Sequence, residues 1–210
     1  MKRKGPTFGH SQVDYRLGNI FKRAAKEFEE ADASDKTVED EYQRTKGSLS
    51  PLESVKISER MFAASGRRME AGVILLMAAA AFLEQIINDY AHTFLDADWY
   101  AEHLDNLRTV TKWILLPHLC QRKEVSENDP AINALREFVK ARNAVVHHKR
   151  RDFYLDLHKA SNRTSTESAR FLSACRKAES TVDALIKILM APPPGAKKPE
   201  MATGKQTPSP

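Results

Sequence analysis

The chain has 210 residues and a mass of 23.7 kDa, with 41% hydrophobic and 29% charged residues. This balance suits a folded domain with a sizeable core and excludes a collagenous or wholly disordered chain. The formal net charge is +5, but Lys2, Arg3, Lys4, Lys197, Lys198, Glu200 and Lys205 at the two ends account for it. Without them 27 basic residues face 27 acidic ones, so the body carries no global electrostatic footprint for nucleic acid.

Two cysteines, Cys120 and Cys175, show no CxxC spacing. They cannot build a disulfide framework, and they suit a reducing, cytoplasmic setting. No apolar segment follows the basic N-terminus, so no secretory leader is expected. The longest apolar run, residues 71–83, has 13 residues, whereas a membrane crossing needs about 20. It is expected as a buried helix, with no membrane partner.

Glycine and proline placement sets the fold class. No glycine occurs between Gly72 and Gly195, and only Pro117 and Pro130 fall between Pro51 and Pro192. A sheet protein needs turn residues every ten or so positions, so an all-α helical bundle is expected. In chain order, residues 14–32 and 37–46 read as two charged helices. Ser50-Pro51-Leu52-Glu53 carries a capping box with Pro at the first helical position and opens a helix to about residue 95, with a candidate break near Gly66. Asp96 or Asp98 caps the next helix, which Pro117 should end or kink. Asn128-Asp129-Pro130 opens a helix to about 150. Thr164-Ser165-Thr166-Glu167 is a second capping box, opening a last helix that stops before Pro192. Residues 191–210 are rich in Pro, Lys, Gly and Ser and read as a disordered tail. The chain thus divides into an N-terminal helical extension (1–60), a helical bundle (61–190) and the tail (191–210).

Residues 71–94 are apolar nearly all round, which places that helix at the centre of a bundle. One face is Leu76, Ala80, Leu83, Ile87, Tyr90 and Phe94. A second row, Val73, Met77 and Ala81, turns polar at Glu84 and Asn88. Glu84 reads either as a carboxylate at the rim of the core or as the partner of a buried cation.

Metal and cofactor motifs are missing. There is no GxGxxG, Walker loop, HExxH or GxSxG, and the seven histidines show no zinc-like spacing with the cysteines. Neither a metal nor a cofactor is expected. One segment does suggest chemistry. The apolar row Ile132, Leu135, Phe138, Val139, Val145 and Val146 has Arg142 at the position between its two halves. A guanidinium on a core-facing row stays charged and must be paired or reach a wet cleft. Asn143 and His147 lie four apart on a neighbouring face. A fixed cation, an amide and an imidazole are what metal-free RNA cleavage requires. A base takes the 2′-hydroxyl proton, an acid protonates the 5′-oxygen, and a cation steadies the phosphorane.

This segment, RNAVVHH at residues 142–148, resembles the R-x4–6-H signature of HEPN-domain proteins, including the polar residue after the arginine. The surroundings are similar too: the apolar helix with an embedded acidic residue (AAAAFLEQIINDYA), a helix ending TKWILLPHLC, the motif helix, and a closing amphipathic helix. The resemblance covers roughly residues 68–190. Arg3 with His10 and Arg151 with His158 also satisfy the bare spacing, so the weight rests on this context.

The resemblance implies an up-down core of four to five helices and a metal-independent endoribonuclease, toxin-like or defence-like. It further implies a homodimer with the motifs at a shared cleft, a possible antitoxin or other protein partner, and 2′,3′-cyclic phosphate products. By the same resemblance, Arg142 would stabilise the phosphorane, His147 would act as acid or base, and Asn143 would orient the phosphate or the imidazole. Glu84 is expected to orient the arginine. His148 reads as a supporting or merely solvated neighbour. Lys140, Lys149, Arg150 and Arg151 read as RNA-backbone contacts or as cations that complement the helix dipole. Trp99, Tyr100 and Trp113 read as core or as base-stacking groups. The alternative is a catalytically silent helical module that binds a protein, RNA or nucleotide. Residues five apart on an ideal helix lie about 140° apart, so Arg142 and His147 can meet only through helix distortion or across a dimer.

Overall fold

The computed structural model describes residues 15–146 and 162–193. These form seven α-helices and no strand: α1 (Tyr15–Thr45), α2 (Pro51–Phe94), α3 (Ala97–His103), α4 (Thr109–Gln121), α5 (Pro130–Val146), α6 (Asn162–Arg176) and α7 (Ala178–Met190). The all-α bundle expected from the glycine and proline pattern is what the chain adopts.

Several boundaries follow their sequence signals. Ser50 and Glu53 close the capping box, with the Ser50 N–H donating to Glu53 Oε2 at 2.9 Å. Asp96 Oδ1 accepts from the Trp99 N–H at 3.0 Å, and Asp129 Oδ1 accepts from the Ala131 N–H at 2.8 Å. These side chains satisfy donors that a helix start otherwise leaves orphaned.

Other boundaries differ. The two helices expected at 14–32 and 37–46 are one continuous helix, α1 (Tyr15–Thr45). The Thr37 hydroxyl, a potential breaker, donates to the Ala33 carbonyl at 2.8 Å within the helix, and Asp32 and Asp35 are held by Arg68 of α2. Nothing remains to turn the chain there. α2 passes through Gly66 unbroken. Pro117 neither ends nor delimits α4, which runs four residues further. It closes where Arg122 enters the left-handed region (φ 55°) and the Lys123 N–H bonds the Pro117 carbonyl at 3.1 Å. The closing helix begins at Asn162, ahead of the Thr164 capping box, and breaks at Lys177 into α6 and α7. Residues 194–210, most of the expected tail, lie outside the described residues.

α2 is the axis of the bundle. Leu76, Leu83, Ile87 and Tyr90 of the expected face are buried, while Ala80 and Phe94 are partly so. They pack in one core with Trp113 and Leu116 of α4, Ile132 and Leu135 of α5, and Leu185 of α7. Phe21 and Phe28 of α1 belong to the same core, and Phe21 stacks on Phe82 at 5.8 Å. The row Val73, Met77 and Ala81 is not enclosed: Val73 is half-buried, and Met77 and Ala81 are exposed. Among the described residues α2 alone is long and apolar enough to cross a bilayer by length and composition. Its apolar part is the stretch around which the other helices pack.

Candidate functional site

α5 carries the arginine singled out by its place on an apolar row. Ile132, Leu135, Phe138 and Ala141 are buried on that helix, and Arg142 is half-buried beside them. Its Nε is buried with no hydrogen-bond partner, and its Nη1 donates to Asn143 Oδ1 at 2.9 Å. No carboxylate of the described residues pairs with it. The guanidinium is therefore not splayed into solvent, and no described carboxylate neutralises it. Asn143 is engaged by the arginine itself, so its amide oxygen helps fix the guanidinium.

Glu84 does not orient Arg142. Its Oε1 accepts from Lys112 Nζ at 2.5 Å and its Oε2 from the Thr109 hydroxyl at 2.9 Å. Glu84 is thus the partner of a buried cation, but that cation is Lys112, whose side chain is 1% exposed. Asn88 Oδ1 accepts from both Lys112 Nζ (3.1 Å) and Tyr100 Oη (2.6 Å), and Asp105 lies 3.5 Å from the ammonium. Burial alone would lower the Lys112 pKa. The hydrogen bond that Lys112 donates to Glu84, together with the neighbouring Tyr100 oxygen, outweighs burial and holds the group above its ordinary value. This network ties α2, α3 and α4 together. It was legible in principle: Lys112 sits inside the apolar run TKWILL, as Arg142 sits on the row of α5.

The remaining candidates separate. Lys140 is exposed and donates to Glu137 at 2.7 Å. Tyr100 and Trp113 are core residues. Trp99 is exposed and stacks on His103 at 5.0 Å. Cys175 is buried and Cys120 half-buried, and burial pushes both thiols up to about 12. His147, His148, Lys149, Arg150 and Arg151 lie outside the described residues, so the meeting of Arg142 with His147 lies outside them too.

A cleft of about 670 Å³ runs between α5, α6 and α7, lined by Asn133, Glu137, Phe138, Arg170, Lys177 and Thr181, among others. Glu137 is held below its usual range, chiefly by the Lys140 hydrogen bond, with Arg170 Nε at 3.4 Å. Arg142 follows Phe138 by one helical turn, so the cleft and the guanidinium belong to one stretch of α5. Among the described residues no three His, Cys, Asp or Glu side chains converge as metal ligands. Comparison with protein-family models, with curated proteins and with solved structures gave no match.

Proposed function

We propose that this chain is a metal-independent endoribonuclease of the HEPN type, acting as a homodimer. The observation that carries the reading is the Arg142 guanidinium: half-buried, braced by Asn143, and with no carboxylate partner among the described residues. A purely structural arginine at such a position is expected to sit on a carboxylate, as Arg68 and Arg176 do here. An arginine kept for a phosphate holds its donors open.

In this reading an imidazole, His147, takes the proton from an RNA 2′-hydroxyl as its oxygen attacks phosphorus. Arg142 stabilises the added charge on the phosphorane. The 5′-oxygen leaves after receiving a proton from a second acid, for which the copy of His147 in a dimer serves. The products are a 2′,3′-cyclic phosphate and a 5′-hydroxyl. The basic run from Lys149 to Arg151 supplies backbone contacts.

The second reading, a catalytically silent helical module, is favoured by the exposed apolar side chains of α2, Leu52, Val55 and Phe62, which suit a protein partner. The test is purified protein with a chelator on structured and unstructured RNA, followed by end-group analysis. Cleavage with cyclic-phosphate ends supports the nuclease. Intact RNA across substrates favours the silent module.

A further inference from the structure

One face of α2 is covered at its C-terminal end and bare before that. At Glu84 and Asn88 this face is closed by Lys112 of α4 and Tyr100 of α3. Towards the N-terminus the same helical stripe is exposed over Leu52, Lys56, Glu59, Ala63, Arg67, Glu70 and Ile74. Leu52 is 65% exposed and Ile74 47%, and Phe62, beside the stripe, is 63% exposed. Gly66, also beside it, has open space where a Cβ would stand. Lys56, Glu59, Arg67 and Glu70 form no ion pair with any described residue, although Arg60 and Arg68 on the same helix pair with Glu41 and Asp35.

The order of these residues is self-complementary. Glu59 and Arg67 lie four positions either side of Ala63, Lys56 and Glu70 seven, and Leu52 and Ile74 eleven. Offsets of four, seven and eleven stay on one face of an α-helix. An antiparallel copy of α2, related by a two-fold axis at Ala63, therefore sets every charge opposite its counter-charge and each large apolar end opposite the other.

We propose that this face of α2 is the interface of a homodimer, with the second copy of the chain as its occupant, antiparallel and centred on Ala63. The contact runs from Leu52 to Ile74, about 33 Å along the helix. Glu59 faces Arg67 of the second copy, Lys56 faces its Glu70, and the small side chains Ala63 and Gly66 let the two backbones approach at the crossing. Such closed two-fold contacts use the same patch on both subunits, and paired charges of this kind set register and orientation. Gly72, nine positions on and so half a turn round the helix from Ala63, faces Phe171 of α6. The contact centred on Ala63 is therefore on the far side of α2 from α5 and α6, separate from the cleft at which copies of Arg142 and His147 would meet, and it stands or falls independently of them.

Light scattering coupled to size exclusion, on the full chain at tens of micromolar, is expected to give at least twice 23.7 kDa. Glu59→Arg and Arg67→Glu should each weaken association at least tenfold with helicity unchanged, and the combined swap in one chain should restore it. Ala63→Cys should form an interchain disulfide under mild oxidation, and Ala97→Cys, on α3, should not. A monomeric parent chain, a dimer indifferent to both single reversals, or an Ala63→Cys chain that stays uncrosslinked would overturn the proposal.

Discussion

The two halves of α2 share one unbroken helix but not one environment. From Gly72 to Ala91 ten residues are buried, and they join the core of the bundle. From Pro51 to Ala71 only Ile57 and Ala64 are, and with Val38 of α1 they lie outside that core. The first half carries its charges exposed apart from Arg68, which Asp35 holds, whereas the second draws Glu84 into a network around a buried lysine. Backbone continuity therefore says little about what a substitution does. The side chains around each position decide it.

The largest contrast is expected at Glu84. Glu84→Ala leaves the Lys112 ammonium buried with Asn88, Asp105 and the Tyr100 oxygen around it but without its closest carboxylate and should cost about 2–3 kcal/mol in urea unfolding. Because the folded Lys112 is held above its ordinary value of 10.5, its contribution is complete below that pH and disappears as pH rises through the raised value. The gap between parent and variant should therefore close in strong alkali. A gap that persists unchanged there would show that the loss is packing alone.

Two glycines of α2 sharpen the comparison. A Cβ at Gly72 would stand 2.8 Å from the Phe171 ring and 3.1 Å from Cys175 Sγ. Gly72→Ala should destabilise by about 1–2 kcal/mol despite the better helix propensity. Gly66 meets nothing within 4 Å. In the monomer, at concentrations too low for the α2 contact, the same substitution there should stabilise by about 0.5–1 kcal/mol through the unfolded chain. Thermal melts of the two variants should shift in opposite directions, and equal shifts would erase the distinction between the halves.

The fold class was legible because it depends on what the chain lacks between residues 72 and 195, and the capped helix starts were legible because capping is local. The joining of residues 14–32 with 37–46, and the passage of α4 through Pro117, were not. Both depend on partners distant in sequence or on a helix end that stores no simple motif. Arg142 was legible as a charge on an apolar row. The same logic at Lys112 would have found the true partner of Glu84. The pairing of Glu84 with Arg142 failed because a row assignment says which way a side chain faces but not which helix lies opposite.

The most direct measurement is RNA cleavage in the presence of a chelator by three purified proteins: the parent chain, Arg142→Ala and His147→Ala. The reading predicts cleavage by the parent, with cyclic-phosphate ends, and losses of at least a hundredfold in both variants with helicity retained. Full cleavage by a folded Arg142→Ala chain would contradict it.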